Sequence, residues 1–221
     1  MAPFTDPLED TAGTPAVRGL LHRPEAPTGD ALVLTHGAGS NANAPLLVAI
    51  ADAFAAVGTT VLRCDLPFRQ ARPHGPPFPA MALQDRVGLK RAVLLLRERV
   101  PGRVFLGGHS YGGRQASMLA ADEPELAAGL LLLSYPLHPP GRAADLRTAH
   151  FPRLAAPVLF VHGTRDPFGS IDEMRAALAT IGAPHELITV DGAAHDLGGK
   201  RTAGRVAGTV LAAFERWLAH H

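Results

Sequence analysis

Short apolar runs alternate with helical patterns along most of the chain. Seven runs have the length and residue types of buried strands; they are Val17 to Leu21, Leu32 to Thr35, Thr60 to Cys64, Val104 to Gly107, Leu130 to Ser134, Val158 to His162 and Glu186 to Val190. Helical patterns fill most of the gaps after the second run. The alternation predicts an α/β domain whose mostly parallel sheet of about seven strands carries helices on both faces.

Two helices can be placed by their ends. Pro45 is typical of a first helical turn, so we expect Asn43 or Ala44 to cap a helix that runs to about Val57. A last helix of about 18 residues is expected from Arg201 onward. The first 15 residues, rich in Pro, Thr and acidic side chains, are expected to be a loose lead-in to a single domain spanning 1–221.

Composition favours one soluble enzyme domain. Hydrophobic residues make up 47% of the 221 residues but aromatic residues only 5%, so Ala, Leu and Val must fill the core. The net charge of +1 gives no basic surface for nucleic acid. No apolar run reaches the roughly 18 residues needed to cross a bilayer, and the N-terminus lacks a signal-peptide pattern. We therefore expect a cytoplasmic monomer or homodimer that binds neither membrane nor nucleic acid, with its single Cys64 buried at a strand end.

The chemistry-bearing motif is Gly108-His109-Ser110-Tyr111-Gly112, directly after the apolar run that ends at Gly107. A G-x-S-x-G sequence in that position mounts a serine on a sharp strand-to-helix turn. Glycines flank the serine because a Cβ beside this strained, positive-φ residue would collide with adjoining backbone. The motif predicts that Ser110 is a nucleophile at the N-terminus of a helix.

A serine nucleophile needs an acid and a histidine base, which follow it in the chain order Ser, acid, His. Asp166 lies in a turn directly after the strand that ends at His162 and is the predicted acid. Asp191, after the next strand, is a weaker alternative. His195 lies in a glycine-rich loop after the final strand and is the predicted base, since such a loop can bring imidazole over the serine.

The other histidines are interpreted differently. His162 is a strand-end residue and His185 belongs to the opposite end of the sheet. His220 and His221 form a tail that is consistent with a purification-tag remnant.

The oxyanion hole is predicted to use the backbone N–H groups of Tyr111 and Ala38. Ala38 belongs to the loop His36 to Gly39, where His36 is expected to buttress neighbouring loops. Six side chains are predicted to line the substrate pocket: His36, Phe68, Arg69, Phe78, His109 and Tyr135. Three of them lie in the proline-rich connection from Asp65 to Pro79, which is read as a stiff structureless loop. Only about 20 residues separate Tyr135 from the next strand, too few for a helical lid, so the pocket should be open.

The same loop supports a rival interpretation. Gly37, Gly39 and Ala42 fit the G-x-G-x-x-A pattern of a dinucleotide site, and Asp65 ends the next strand, where a ribose-binding acid is expected. A nucleotide site, however, needs a helix that begins within the glycine turn. Pro45 places the helix start later, which disfavours this alternative.

Four segments carry a family resemblance: His-Gly-Ala-Gly at His36 to Gly39, Asp-Leu-Pro at Asp65 to Pro67, Ser-Tyr-Gly-Gly-Arg at Ser110 to Arg114, and Gly-Thr-Arg-Asp-Pro at Gly163 to Pro167. The chain resembles small, lidless α/β-hydrolases of the dienelactone-hydrolase-like group. The resemblance implies an α/β-hydrolase fold without a cap domain, a Ser110, Asp166, His195 triad, acyl-ester chemistry, and neither metal nor cofactor. Dienelactone hydrolase itself uses a cysteine where this chain has Ser110.

The predicted function is cleavage of a carboxylic ester or thioester of a small acyl group through an acyl-enzyme. Peptidases and acyltransferases use the same constellation of residues, so the sequence leaves them open. A catalytically idle scaffold that binds a protein partner is the alternative from another class, and the complete set of triad residues speaks against it.

Overall fold

An eight-stranded sheet forms the centre of the computed structural model, which describes residues 4–219. Its spatial order is β1-β2-β4-β3-β5-β6-β7-β8, with β3 to β8 parallel and β1 and β2 antiparallel to their neighbours. The strands are β1 (Phe4–Asp10), β2 (Val17–Arg23), β3 (Ala31–Thr35), β4 (Thr60–Asp65), β5 (Val104–His109), β6 (Leu130–Leu133), β7 (Val158–Gly163) and β8 (His185–Val190). The mostly parallel sheet and all seven predicted strands are confirmed.

The eighth strand corrects the sequence prediction. Residues 4–10, expected to be loose, pair with β2 in a register that runs from Phe4 opposite Arg23 to Asp10 opposite Val17. Most side chains of this edge strand are exposed, and only Leu8 is buried. An edge strand with one buried residue has no apolar alternation to reveal it, so backbone pairing alone identifies it.

Helices cover both faces of the sheet, as predicted. They are α1 (Pro45–Ala56), α2 (Pro67–Ala71), α3 (Ala82–Arg97), α4 (Tyr111–Asp122), α5 (Ile171–Leu178) and α6 (Gly199–Leu218). The first residue of α1 is Pro45 and its N-cap is Ala44, in agreement with the sequence. The last helix begins two residues earlier than the predicted Arg201.

Two apolar layers make the core, one on each side of the sheet. Helices α1 and α6 pack on one face, where Phe54 and Phe105 each lie 5.1 Å from the ring centroid of Phe214. Helices α3, α4 and α5 pack on the other face. All four leucines of β6 are buried because a central parallel strand has covered neighbours on both faces.

The connections at the carboxyl edge of the sheet are compact. Between β6 and β7, residues 134–157 contain a single 3-10 turn, Phe151–Arg153, and no cap domain, as predicted. The proline-rich connection after β4 is not wholly structureless, since it contains α2 and a 3-10 turn at Pro79–Met81. No helix among residues 4–219 combines the length and apolarity needed to span a bilayer.

Cys64 is buried in β4, as expected. Burial, and next to it the neighbouring Asp65 carboxylate, raises the pKa of its thiol to about 12, so the thiol stays protonated at neutral pH. The predictions for His220 and His221 lie outside the described residues.

Candidate active site

Ser110 occupies the turn between β5 and α4. Its backbone has φ 52° and ψ −116°, the strained conformation that the motif predicts. A Cβ on Gly112 would lie 2.5 Å from the His36 carbonyl oxygen and 2.6 Å from Cγ2 of Thr35. Glycine at this position therefore allows α4 to approach β3 closely, which presents the Ser110 side chain at the end of the sheet.

Ser110, His195 and Asp166 lie in one hydrogen-bonded line. Oγ of Ser110 is 2.7 Å from Nε2 of His195, and Nδ1 of His195 is 2.8 Å from Oδ2 and 3.0 Å from Oδ1 of Asp166. The Asp166 side chain is 0% exposed and that of His195 is 21% exposed. Three loops, after β5, β7 and β8, thus bring together residues that are far apart in the sequence.

The hydrogen bonds determine which nitrogen carries the proton. A carboxylate only accepts, so Nδ1 of His195 donates to Asp166 and the neutral ring leaves Nε2 free to accept from the Ser110 hydroxyl. The alternative acid, Asp191, is exposed and accepts from the Thr164 hydroxyl at 3.3 Å. The geometry places Asp166, not Asp191, against the imidazole.

Two rings flank His195. The Phe168 ring centroid lies 4.1 Å from that of His195 at an interplanar angle of 31°. The His109 ring centroid lies 5.3 Å from that of His195, and Nε2 of His109 donates to the His195 backbone carbonyl at 2.8 Å. Burial lowers the pKa of His109 to about 4, so this side chain is neutral and anchors the loop that carries His195.

Ala38 and Tyr111, the residues whose N–H groups are the predicted oxyanion donors, line the same cavity as Ser110. Tyr111 is the first residue of α4, where a backbone N–H has no acceptor within its own helix. The loop that holds Ala38 is tied down by Arg69, which donates to the carbonyls of Ala38 at 2.9 Å and Ser40 at 2.7 Å. An anion beside Ser110 would therefore meet backbone N–H groups on a fixed loop and at a helix N-terminus.

His36 holds the base of that loop. Its Nδ1 donates to the Gly37 carbonyl at 2.9 Å and its Nε2 accepts from the Leu66 backbone N–H at 3.1 Å. Burial lowers the pKa of His36, which keeps the ring neutral for both bonds. Asp65, considered above for ribose binding, instead accepts from the Ala42 N–H at 2.7 Å. With α1 starting at Pro45, the glycine turn does not point a helix at a phosphate site.

A cavity of about 550 Å³ opens beside Ser110. Of the six side chains predicted to line it, Phe78 does so and is 59% exposed. The other five do not line this cavity: His36, Phe68, Arg69 and Tyr135 are buried, and His109 borders a smaller cavity. These five side chains are turned inward by hydrogen bonds or by packing against other rings.

Residues that the sequence analysis did not assign to the pocket make much of the wall. Arg86, Arg114 and Arg147 come from α3, α4 and the connection after β6, and Phe168 follows Asp166. Arg114 is one helical turn after Ser110, and this spacing places two residues on the same helix face. The spacing is therefore the sequence signal that could have placed Arg114 in the pocket. Within residues 4–219 no cluster of three or more His, Cys, Asp or Glu side chains is arranged to hold a metal ion.

Comparison with known proteins gives a consistent answer. A family model described as an α/β-hydrolase domain matches residues 28–220. The chain superposes on a dienelactone hydrolase from Anabaena variabilis with a TM-score of 0.77 and 22% identity, covering 100% of this chain and 99% of that one. A lidless α/β serine hydrolase from Xanthomonas campestris gives a TM-score of 0.75 at 18% identity, covering 96% and 94%.

An esterase domain from a Rhodothermus marinus protein matches with a TM-score of 0.68 at 18% identity and 98% coverage of both chains. At these identities the solved structures show a shared fold. The expected small, lidless α/β-hydrolase similar to dienelactone hydrolase is confirmed by the family model and these neighbours together.

Proposed function

We propose that this chain, which belongs to the α/β-hydrolase domain family, is a serine hydrolase that cleaves a carboxylic ester or thioester of a small acyl group. The observation that carries the proposal is the hydrogen-bonded line from Ser110 through His195 to a fully buried Asp166. The family supports a hydrolase, and this geometry supports the specific mechanism.

Catalysis begins at the Ser110 hydroxyl. Its oxygen attacks the ester carbonyl while Nε2 of His195, already 2.7 Å away, takes the proton. The carbonyl oxygen becomes an oxyanion, stabilised by the N–H groups of Ala38 and Tyr111. Asp166 holds the imidazole in the required tautomer and stabilises the imidazolium that forms.

Collapse of this intermediate breaks the bond to the leaving group, which receives the proton from His195. The acyl group remains on Ser110 as an ester. A water molecule then attacks the acyl-enzyme, gives its proton to His195, and releases the carboxylic acid as Ser110 regains its hydrogen. The reaction consumes one water molecule and needs no other reactant.

Labelling with a fluorophosphonate and hydrolysis of p-nitrophenyl butyrate test the proposal. We expect Ser110→Ala to abolish labelling and to lower turnover at least about a thousandfold, because only oxyanion stabilisation and binding remain. Ser170→Ala is the matched control, since this serine is exposed and caps α5 away from the cavity.

Thermal unfolding of both variants verifies that they are folded. Full activity in Ser110→Ala would overturn the mechanism. A folded wild-type protein that is neither labelled nor active on esters and thioesters would instead favour the catalytically idle scaffold.

A further inference from the structure

His195, the predicted base, lies on an irregular loop. Residues 191–198 connect β8 to α6 through turns, without a helix or strand of their own. The imidazole makes two hydrogen bonds, to Ser110 and to Asp166. Both bonds are made at the ring nitrogens, so they constrain rotation about the line through these two atoms only weakly. A further contact, on the flat face of the ring, is needed to fix its plane.

Phe168 supplies a contact on that face. Its ring centroid lies 4.1 Å from that of His195 and the two planes are 31° apart, so the rings are stacked. The ring of His109 is more distant, with centroids 5.3 Å apart and an interplanar angle of 50°. Phe168 is half-buried and also lines the cavity beside Ser110. The closer of the two rings therefore borders the space that the substrate must enter.

The backbone of Phe168 is held independently of its ring. Its N–H donates to Oδ1 of Asp166 at 2.9 Å, and its carbonyl accepts from the His138 N–H at 3.1 Å. The carbonyl of the next residue, Gly169, accepts from Nε2 of the buried His162 at 2.8 Å. The acid loop, Asp166 to Gly169, is thus fixed by hydrogen bonds that a change in the Phe168 ring leaves in place.

The charge of the imidazole changes during the proposed reaction. His195 accepts from the Ser110 hydroxyl as a neutral ring and becomes an imidazolium when it takes the proton. The face of a benzene ring carries partial negative charge and attracts a cation that lies within about 6 Å of its centroid. The Phe168 ring, at 4.1 Å, is inside that distance. The contact is therefore stronger in the transition state than in the resting enzyme, and such a difference lowers the reaction barrier.

The other charges around His195 do not depend on the Phe168 ring. Burial lowers the pKa of His109 to about 4 and also lowers the pKa of His162, so both rings are neutral at neutral pH. The charged groups on the surrounding loops and helices are Asp166, bonded to the imidazole, Arg165 before it, Arg114 in α4, Asp196 in the loop of His195, and Lys200 in α6. All of them remain when only the electron density of the Phe168 ring is altered.

We propose that Phe168 is a positioning residue whose ring fixes the plane of the His195 imidazole and stabilises the imidazolium that forms at each proton transfer. The proton moves from the Ser110 hydroxyl to Nε2 of His195 and then to the leaving group, and Phe168 neither gains nor loses an atom. The catalytic consequence rests on the proposed serine hydrolase function, whereas the effect of the ring on the imidazolium does not. Acylation and deacylation both form the imidazolium, so kcat and kcat/KM should depend on the ring equally and KM should not.

Fluorinated phenylalanines in place of Phe168 test the proposal at nearly constant shape. The 4-fluoro, 3,5-difluoro and 3,4,5-trifluoro forms carry progressively less electron density on the ring face. We expect kcat for p-nitrophenyl butyrate to fall with each step and to reach about fivefold below wild type for the trifluoro form, or about 1 kcal/mol, with KM unchanged. A kcat that stays the same throughout the series would overturn the stabilisation of the imidazolium by the ring.

The same series in place of Phe214 is the matched control. This ring packs against Phe54 and Phe105, and Phe214 lies about 22 Å along α6 from the first residue of that helix, Gly199. Fluorination there alters a buried ring of the core, so kcat should stay within about twofold of wild type. An equal, graded fall in this series would show a general effect of fluorination on packing and overturn the assignment to Phe168.

Two ordinary substitutions test the need for a ring. Phe168→Leu keeps an apolar side chain but removes the aromatic face, and kcat should fall at least about fivefold with KM unchanged. Phe168→Tyr keeps a ring of the same width and should retain at least about half of the wild-type kcat. Equal losses in the two variants would overturn the role of the aromatic face.

Titration of His195 by NMR separates this inference from the proposed function. The ring nitrogens are observed in protein made with isotope-labelled histidine, and those of His195 are identified by the signals that His195→Gln lacks. The pH at which half of this imidazole is protonated should be about 0.7 unit lower with trifluorophenylalanine in place of Phe168 than in wild type, the equivalent of about 1 kcal/mol. A lower midpoint supports the inference even if no ester is hydrolysed. Equal midpoints would overturn it, and ester hydrolysis by the same protein would show that the serine hydrolase function stands.

Discussion

Asp166→Asn is the most informative single change, because the surrounding hydrogen bonds dictate how the asparagine must sit. Oδ1 of Asp166 accepts from the Phe168 backbone N–H at 2.9 Å, so the asparagine oxygen is needed there. Its NH2 group then replaces Oδ2, which lies 2.8 Å from Nδ1 of His195. A donor at this position favours the tautomer that carries its hydrogen on Nε2, and this nitrogen can no longer accept the Ser110 proton.

The expected loss follows from that tautomer. We expect kcat for p-nitrophenyl butyrate to fall about 10³- to 10⁴-fold, as in other triads whose aspartate becomes asparagine, or roughly 4–5.5 kcal/mol of transition-state stabilisation. Fluorophosphonate labelling should slow in parallel, because the same proton transfer activates Ser110. Thermal unfolding is measured beside the kinetics to show that the buried substitution leaves the protein folded.

Asp191→Asn is the matched control. This carboxylate is exposed and accepts only from Thr164 in the described structure, so kcat should stay within about twofold of wild type. A loss in Asp191→Asn equal to or greater than that in Asp166→Asn would refute the assignment of the acid. A folded Asp166→Asn protein with kcat within tenfold of wild type would refute the tautomer argument.

Three further outcomes are expected. Among neutral p-nitrophenyl esters from acetate to palmitate, kcat/KM should peak at roughly two to four acyl carbons, without interfacial activation. Each buried methylene contributes about 0.8 kcal/mol of binding free energy, and an open, arginine-lined cavity buries few of them. A preference for palmitate would contradict this prediction. His109→Phe should lower kcat about fivefold with KM unchanged, and His109→Gln should restore part of it, because the lost bond to the His195 carbonyl is worth about 1 kcal/mol. An unchanged kcat in His109→Phe would show that this bond does not position His195. The pKa of His150 is lowered to about 4 in the folded protein, so its contribution to stability is present above pH 6.5 and is lost as the pH falls towards 4. Between pH 7 and 5 this loss is about 2 kcal/mol. The unfolding free energy, measured with urea at several pH values, should therefore depend less on pH in His150→Gln than in the wild type. An equal pH dependence in the two proteins would contradict this prediction.

Much of the fold could be predicted because its signals are local. Continuous apolar runs marked the covered parallel strands, and Pro45 marked the start of α1. The strand β1 was not predicted from the sequence, because an exposed edge strand is stabilised by backbone pairing to β2 and carries little side-chain pattern. The proline-rich connection after β4 was predicted to lack structure, yet Pro67 begins a short helix whose packing against the core comes from Phe68.

The candidate site also has a part that the sequence predicted and a part that it did not. The residue types, chain order and loop positions of Ser110, Asp166 and His195 were readable in the sequence, because a nucleophile on a strand-to-helix turn demands glycines within two positions on either side. The direction of pocket side chains was not readable. Phe68, Arg69 and Tyr135 lie on the expected loops but point into the protein, where they hold those loops in place.

The sequence by itself determined the strand and helix pattern, the strained serine turn and the order of the three predicted catalytic residues, since each depends on sterics and periodicity over a few neighbouring positions. Only the tertiary structure decided that Asp166 rather than Asp191 faces His195, that His109 anchors the loop of His195, and that Arg86, Arg114 and Arg147 share one cavity. These relations join residues from different loops and helices. The distances between them depend on how the helices pack on the sheet, and such packing leaves no periodic signal in the sequence.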